Sequence, residues 1–399
     1  MLDFELPTFC YGCGACANAC PQMAIQLVQA EDGSYVPKIE QEKCIQCGKC
    51  DQVCIHLHSD RYYTQLAQEG CYAAFQFDTR KREKSASGGM FLPIATEVLK
   101  RGGFVCGCVW SEDMSAVHIV SNQFADIQRM CNSKYVQSYM GNCLREIKQL
   151  LKTGKPILFC GTPCQCAACE AVVGKPDNLI KMSLICEGTP TSKVWEKYRK
   201  AKEKEYGAKI KMVNFRSKNP VGWTLPYFSL TTDRRTVCRE MSFKENCYML
   251  ALIQGLTYRS SCYRCAFKGD GGCADIVIGD LWKAEDRLLA KSGNKGLSAL
   301  ILNTEKGAAW FERTADAFYW EEYPIEMVCA NNPPLIRSAH PNVNRDRFFK
   351  DIDVLPIEEN LNCNIVRGDR KKLHITKMLV RLRLYKLLWT LLHKLCSNT

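Results

Sequence analysis

The chain alternates short apolar runs with polar turns that contain glycine, a pattern typical of an α/β protein. Apolar and β-branched runs between these turns predict strands over 71–77, 104–110, 116–120, 156–159, 179–185, 211–215, 226–231 and 275–279. Longer periodic stretches predict helices over 90–100, 126–130, 142–151, 191–206 and 242–256, and a further helix from residue 167. We therefore predict a mixed sheet whose ligands lie at the carboxyl ends of its strands.

The first sixty residues follow a different pattern. Apolar residues alternate over 24–40 on both sides of Asp32-Gly33, which predicts a β-hairpin. This hairpin separates two cysteine quartets that share the spacing C-x-x-C-x-x-C-x-x-x-C. The first quartet is Cys10, Cys13, Cys16 and Cys20, and the second is Cys44, Cys47, Cys50 and Cys54.

The doubled spacing is typical of two cubane iron–sulfur clusters, because three close thiolates hold one cluster and the fourth reaches across to the other. The predicted ligand sets are therefore crossed. One 4Fe-4S cluster takes Cys10, Cys13, Cys16 and Cys54, and the other takes Cys44, Cys47, Cys50 and Cys20. Zinc would need only two C-x-x-C pairs and leaves the doubled spacing unexplained. We predict a ferredoxin-like dicluster domain over residues 1–62.

Later cysteines predict a third 4Fe-4S cluster. Cys262 and Cys265 form another C-x-x-C pair, while Cys164 and Cys186 each follow a predicted strand. Four thiolates at such loop positions would hold a cluster. Cys273 competes for the fourth ligand position, and the alternative is that several of these residues are simply buried cysteines.

The turn Ser87-Gly88-Gly89 opens the helix predicted over 90–100. Free backbone N–H groups and the positive end of the helix dipole would favour an anion there. The alternative is that Ser87 only caps the helix. We interpret His118 as a strand histidine without chemistry.

Composition and charge exclude several classes. The 399 residues include 26 cysteines, and the N-terminus carries Asp3 and Glu5 without an apolar segment, so we expect a reducing cytoplasm rather than a secreted disulfide scaffold. No uncharged apolar run is long enough to span a bilayer. The net charge of +12 is not an argument for nucleic acid. Each bound cluster with its thiolates would add about two negative charges, and we expect no nucleic-acid partner.

Residues 373–395 form a basic amphipathic segment. Three occupants of its apolar face are open: an anionic membrane surface at the inner face of the membrane, a partner protein, or the core of the chain itself.

Six motifs, taken in order, resemble the β-subunit family of coenzyme F420 hydrogenases and dehydrogenases. They are Ser85-Ala86-Ser87-Gly88-Gly89, residues 133–138 (SKYVQS), residues 159–165 (FCGTPCQ), Cys186-Glu187-Gly188, the Cys262/Cys265 pair, and residues 275–282 (DIVIGDLW). The resemblance spans roughly residues 1–350 and places the family core behind a dicluster module.

The resemblance implies a mixed α/β core that binds FAD and a cluster. Its two parts would cover 70–152 and 153–350, and a basic helical tail would follow over 351–399. The implied FAD-binding residues are Ser87, Gly88, Gly89, Lys134, Gln137, Ser138, Gly161, Thr162 and Pro163. The implied ligands of the third cluster are Cys164, Cys186, Cys262 and Cys265.

The function implied is an oxidoreductase. Electrons from a ferredoxin-type donor would reach FAD through the clusters and leave to an organic acceptor such as coenzyme F420 or a small or glycan-precursor substrate. The alternatives are a non-catalytic electron-relay subunit of a hydrogenase or dehydrogenase complex, and a binding protein with structural clusters. Lys134 and Asp280 are candidate proton donors. Arg216, Lys218 and Arg264 are candidate groups for binding an anionic acceptor, and the alternative is that they lie in solvated loops.

Overall fold

The computed structural model describes residues 8–62, 64–269, 271–382, 384–385 and 387. The helices in these ranges are α1 (Ala15–Ala19), α2 (Lys49–Gln52), α3 (Thr79–Glu83), α4 (Phe91–Lys100), α5 (Phe124–Met130), α6 (Cys143–Leu150), α7 (Pro163–Val173), α8 (Ser192–Tyr206), α9 (Cys247–Ile253), α10 (Asp286–Ser292), α11 (Glu305–Glu312), α12 (Ile325–Asn331), α13 (Pro333–Ile336), α14 (Arg345–Lys350), α15 (Ile357–Asn364) and α16 (Arg370–Arg381). The strands are β1 (Ile25–Gln29), β2 (Tyr35–Ile39), β3 (Thr64–Gln65), β4 (Gly70–Gln76), β5 (Phe104–Trp110), β6 (Ala116–Ser121), β7 (Ile157–Gly161), β8 (Leu179–Leu184), β9 (Met212–Ser217), β10 (Tyr227–Thr231), β11 (Thr236–Met241), β12 (Gly271–Gly272), β13 (Ile276–Asp280), β14 (Ser298–Leu302) and β15 (Phe318–Glu322).

The N-terminal module is a hairpin between two cysteine loops. Strands β1 and β2 pair antiparallel, with Ile25 opposite Ile39. Gly33 closes the turn at a φ of 81°, a left-handed conformation that glycine adopts without steric cost. The hairpin predicted from the sequence is therefore present.

An eight-stranded mixed sheet forms the centre of the molecule, in the order β15-β4-β14-β13-β8-β7-β5-β6. Strands β5, β7, β8 and β13 run parallel to one another, and β6 and β14 flank them antiparallel. The carboxyl ends of the parallel strands consequently meet at one edge, where ligands bind in such sheets. The predicted mixed α/β fold is confirmed, and the regions 70–152 and 153–350 both contribute strands to this one sheet.

A second sheet has three strands in the order β11-β10-β9 and packs with α8, α9 and α15. Its core is aromatic and includes Trp195, Tyr198, Phe215, Phe228 and Tyr248. The helix predicted over 242–256 begins only at Cys247, because the Asn246 side chain accepts a hydrogen bond from Met249 N and caps it there. The residues before it continue from β11, a strand that the sequence pattern did not predict.

The dicluster module is packed onto the large sheet domain through α6. The Arg145 guanidinium donates to the carbonyl oxygens of Ala17 and Cys20 at 2.9 and 3.0 Å. The Asn18 side chain donates to Gly141 O at 2.9 Å. These bonds fix the first cysteine loop relative to the sheet.

Residues 351–399 are predicted to form a helical tail, but α15 and one side of α16 pack on the rest of the chain. Helix α15 packs against α8 and α9, and α16 places Leu373 and Val380 against a cluster of four buried apolar side chains, Val221, Leu225, Tyr227 and Met241. Packing on the chain's own core was one of the three alternatives. Residues 383, 386 and 388–395 of the predicted helix lie outside the described residues. In the ranges that the structure describes, no helix is both long enough and apolar enough to cross a membrane.

Candidate cofactor site

The crossed set of the second cluster lies around one cavity. Cys20, Cys44, Cys47 and Cys50 line a space of about 220 Å³ between the two cysteine loops. Cys20 also accepts a hydrogen bond from Ala24 N at 3.3 Å, an interaction that stabilises a thiolate. In the described ranges no three metal-binding side chains converge on a single ion, and these four cysteines surround a larger space instead.

The crossed set of the first cluster is also brought together, and it lies deeper. Cys54, from the second quartet, is close enough to Cys10 and Cys16 to act on the charge of both thiols. Burial raises the pKa of Cys10, Cys13 and Cys16, because a thiolate loses its hydration there. Positive charge on bound iron would compensate that cost.

The third set comes from three separate elements. Cys164 lies in the first turn of α7, and Cys186 follows β8. Cys262 lies within a single helical turn over 260–264, and Cys265 directly follows that turn. Burial raises the pKa of Cys186 to about 11, and the neighbouring Cys262 and Cys164 add to this effect. Burial likewise raises the pKa of Cys265 to about 12, with Cys164 the next cause. The four thiols therefore share one buried region.

Cys273 lies nearby but has other partners. Its thiol donates to Pro163 O at 2.8 Å, and its charged neighbours include Lys181 and Glu170 as well as Cys164. Lys181 of β8 and Glu170 of α7 form a buried ion pair between these two elements.

A larger cavity, of about 500 Å³, opens at the carboxyl ends of β5, β7, β8 and β13. Seven of the nine side chains or glycines expected around FAD line it: Ser87, Gly89, Lys134, Gln137, Ser138, Gly161 and Thr162. Gly88 and Pro163 are not part of its wall. Cys186 of the third cysteine set and Gly12 of the first cysteine loop also line this cavity.

The Ser87-Gly88-Gly89 turn is fixed by the neighbouring strand β14. Ser87 Oγ donates to Leu297 O at 2.7 Å, and Gly88 N donates to Ser298 Oγ at 2.9 Å. Ser87 therefore does not cap α4, and no side chain does so. A Cβ at Gly88 would lie 2.6 Å from Ala74 O, so this glycine permits close packing of the turn on the sheet.

Lys134 lines the cavity, yet its ammonium is engaged. Nζ donates to the carbonyl oxygens of Arg129, Met130, Cys131 and Asn132, at 2.9 to 3.3 Å. These carbonyls end α5, so the lysine neutralises the negative end of that helix. Burial lowers the pKa of Lys134. A proton-donor role would require breaking this arrangement.

The Gly161-Thr162-Pro163 turn leads directly from β7 into α7. Thr162 and Gln165 form a capping box, in which Thr162 N donates to Gln165 Oε1 at 3.0 Å. Gln165 Nε2 also donates to Ser138 Oγ at 2.8 Å. The helix therefore starts at Pro163 rather than at residue 167, and Cys164 is a helical residue instead of a loop residue.

Asp280, the other candidate proton donor, is held in an ion pair. The Arg216 guanidinium donates to both of its oxygens, at 2.5 and 2.9 Å, and the Trp223 indole N–H donates to Oδ1 at 2.8 Å. Although burial opposes the charge, Asp280 raises the pKa of Arg216. Both residues line the cavity, but each oxygen of the acid is already an acceptor in this arrangement.

Two segments of the chain match known protein families. Residues 154–327 match the model for the C terminus of the beta subunit of coenzyme F420 hydrogenase/dehydrogenase, and residues 9–56 match the 4Fe-4S dicluster domain. These segments belong to those two families. The beta-subunit domain thus carries the third cysteine set and much of the cavity wall, and the dicluster domain carries both cysteine quartets.

Two individual proteins are also similar to parts of this chain. A 53-residue stretch is 42% identical to an uncharacterized polyferredoxin-like protein of Methanocaldococcus jannaschii, over 11% of this chain and 32% of that protein. The chain therefore spans about a third of the curated relative that it matches. A solved structure of the F420-reducing NiFe hydrogenase complex from Methanosarcina barkeri contains a chain with 17% identity and a TM-score of 0.42, covering 76% of this chain and 91% of that chain.

Two of the three candidate anion-binding groups in the beta-subunit domain already have partners. Arg216 is paired with Asp280. Lys218 donates to the carbonyls of Arg82, Ser87 and Lys295 at 2.6 to 2.7 Å and holds the Ser87 turn from behind. Arg264 is exposed and does not line the cavity.

Sequence reasoning missed two residues of this site. His118, on β6, and Arg259, just before Cys262, both line the cavity and are buried at 7% and 4% exposure. Neither ring nitrogen of His118 has a partner at normal hydrogen-bond geometry, and the same holds for Arg259 Nε. The signal available for Arg259 is its place three residues before Cys262, a predicted cluster ligand. His118 carries no signal beyond its residue type.

The large cavity is fitted to a polar ligand. Buried donors that lack partners cost free energy unless a bound group satisfies them. Four residues that line this cavity carry a buried side-chain nitrogen without a hydrogen-bond partner: His118, Gln137, Arg216 and Arg259. Its volume lies in the range of small-molecule and cofactor sites, and the uncapped first turn of α4 adds free N–H groups. The residues present therefore suit a polar ligand of cofactor size.

Proposed function

We propose that the chain is an iron–sulfur flavoprotein oxidoreductase that takes electrons from a ferredoxin-type donor and passes them to an organic acceptor. The observation that supports it best is the shared wall of the large cavity. Gly12, between two ligands of the first cluster, and Cys186, a ligand in the third set, line the same space as the residues proposed for FAD. The proposed flavin site therefore adjoins both the first and the third cysteine sets.

Bound clusters would supply single-electron transfer, and bound FAD would combine single electrons into a hydride. The chain's own contribution is to hold these groups at fixed distances. Tyr11 illustrates this, because its hydroxyl accepts a hydrogen bond from Ala266 N at 2.9 Å and its ring packs on Phe267 at 5.2 Å. The first cysteine loop is thereby fastened to the loop of Cys265.

For the first two clusters we keep the crossed ligand sets, with Cys54 joining the first quartet and Cys20 the second. For the third cluster we propose Cys164, Cys186, Cys262 and Cys265. Cys186 is preferred to Cys273 because the Cys273 thiol already donates to a backbone carbonyl and faces the Lys181–Glu170 pair.

For FAD we propose contacts from Ser87, Gly89, Lys134, Gln137, Ser138, Gly161 and Thr162. Gln137 is the most specific of these. Its Oε1 accepts from Tyr35 N of the hairpin at 3.1 Å, while its buried Nε2 has no hydrogen-bond partner among the described residues. Gly88 and Pro163 shape the backbone behind this wall. The acceptor class we propose is coenzyme F420 or a small or glycan-precursor substrate.

The test compares Cys47→Ser with Cys363→Ser. Both cysteines are exposed, but only Cys47 lies in a proposed ligand set. Under anaerobic conditions, chemically reduced ferredoxin is mixed with each variant and the loss of oxidised flavin absorbance is followed. We expect slower flavin reduction in Cys47→Ser alone, with FAD content unchanged in both. Equal rates would contradict electron entry through the dicluster domain.

An electron-relay subunit would contain the same cofactors. It differs in the second half of the reaction, because its flavin would be reduced by ferredoxin and yet transfer no hydride to coenzyme F420 or another organic acceptor until a partner subunit is added. Measuring reduced acceptor with the isolated chain separates the two functions.

We also propose a peripheral membrane contact through the outer side of α16. Ile375, Met378 and Leu382 are 48 to 57% exposed there, while Leu373 and Val380 face the core. Lys371 and Lys372 lie exposed at the start of the same helix. An apolar stripe bordered by cations suits an anionic lipid surface.

A further inference from the structure

Arg259 lies at the meeting point of the two cysteine regions and the large cavity. Its Nη2 donates to Cys164 Sγ at 3.4 Å, and its guanidinium carbon lies 5.7 Å from the centre of the Tyr11 ring. The side chain is 4% exposed and borders the cavity. It therefore contacts one proposed ligand of the third cluster and packs on the residue that follows Cys10.

The charge of Arg259 has no carboxylate partner among the described residues, in contrast to Arg216, which is paired with Asp280. The ionisable groups that act on its charge are the cysteines Cys262, Cys164 and Cys10. A buried charge is retained only where an opposite charge compensates it. Thiolates bound to a cluster carry net negative charge and would provide that compensation.

We propose that Arg259 is a positioning residue that raises the reduction potential of the cluster held by Cys164, Cys186, Cys262 and Cys265, an inference that rests on the proposed function. Reduction adds one electron to the cluster and breaks no bond. A fixed buried cation stabilises the more negative, reduced form more strongly than the oxidised form. Hydrogen bonding to a ligand sulfur acts in the same direction.

The consequence concerns the direction of electron flow. Arg259 donates directly to a ligand of the third cluster, whereas it reaches the first cysteine loop through the Tyr11 ring, so it favours an electron on the third cluster over one on the first. A higher reduction potential at the third cluster would draw electrons away from the dicluster domain and towards the cavity.

The test is a redox titration of the anaerobically purified full chain, followed by electron paramagnetic resonance, with dithionite as reductant. Arg259→Met removes the buried charge, Arg259→Lys retains it, and Arg264→Met is the matched control. Arg264 lies in the same loop but is exposed, so water screens its charge.

We expect one cluster signal to shift to a more negative midpoint in Arg259→Met, a smaller shift in Arg259→Lys, and the smallest shift in Arg264→Met. If Arg259→Met loses the third cluster, Arg259→Gln decides, because it removes the charge and keeps a hydrogen-bond donor: a midpoint more negative than that of Arg264→Met supports the proposal, and an equal midpoint overturns it. Full iron content with an unchanged midpoint in Arg259→Met also overturns it, while leaving the three-cluster assignment intact. Only about eight irons in the unmodified protein would instead overturn the proposed function itself, and this inference with it.

Discussion

The Arg216–Asp280 pair provides the most quantitative prediction. Arg216 is 2% exposed and the Asp280 side chain 14%, so water screens this pair little. Asp280→Asn keeps the shape of the side chain and removes its charge. With charge centres about 4 Å apart and an effective dielectric constant of about 20, the lost attraction is about 4 kcal/mol. Removing one partner of a buried pair costs a similar amount, about 3–5 kcal/mol.

We therefore expect Asp280→Asn to lower the free energy of unfolding by about 4 kcal/mol. The matched control is Glu321→Gln, which breaks the pair with Arg287, whose side chain is 57% exposed. Such an exposed pair contributes about 0–1 kcal/mol. The double variant Arg216→Met with Asp280→Asn should be more stable than Asp280→Asn alone, because no unpaired buried charge remains.

The assay is anaerobic denaturant unfolding of all variants followed by tryptophan fluorescence. Trp223 and Trp282 stack at 5.1 Å beside the pair and report on this region directly. Equal losses in Asp280→Asn and Glu321→Gln would refute the reasoning. So would a double variant that is less stable than Asp280→Asn.

Three further predictions use matched pairs of variants or conditions. Gly88→Ala should destabilise the protein by about 1–3 kcal/mol through overpacking. Gly368→Ala is the control and should not, because its Cβ would meet no atom within 4 Å. Equal unfolding midpoints of the two variants would be evidence against a close-packing role of Gly88. Burial lowers the pKa of His118 in the folded protein to about 4. In the unfolded chain the pKa is about 6.5, so between these two pH values the unfolded chain binds more protons than the folded one. The stability present above about pH 6.5 is therefore lost as the pH falls. This loss is about 1.4 kcal/mol at about pH 5.5 relative to neutral pH. His118→Gln should therefore make the free energy of unfolding depend less on pH below neutrality. An unchanged pH dependence would contradict the lowered pKa of His118. Ile375→Glu with Met378→Glu should reduce co-sedimentation with anionic vesicles, while Val343→Glu with Val354→Glu, at residues 98% and 76% exposed elsewhere on the surface, should leave it unchanged; equal binding of both variants would exclude the α16 contact.

The sequence predicted strands best where burial is continuous. The bounds expected for β5, residues 104–110, match the structure, and its apolar run is buried between helices and neighbouring strands. Strand β14 is not predicted although its SALIL run is entirely buried, because periodicity alone does not separate a short continuous apolar strand from a buried helix segment. Strand β11 was missed because Arg239 and Glu240 interrupt its pattern at the edge of a small sheet.

The candidate site was predictable only as far as local motifs reach. The crossed cysteine sets follow from spacing, since the two loops are joined by one hairpin. The engagement of Lys134 could not be foreseen, because it depends on Asn132 turning the chain back at a φ of 71° after α5. Arg259 contacts Cys164 across 95 positions of the chain, so its role arises only when β7, β8 and the 260–264 turn are packed together.

Under the proposed function, one chain holds three clusters and a flavin in neighbouring sites. Iron and flavin per chain are measured, with an absorbance spectrum, in the anaerobically purified protein. We expect about twelve irons and one FAD. About eight irons without flavin would contradict it, because only the dicluster domain would then hold cofactors.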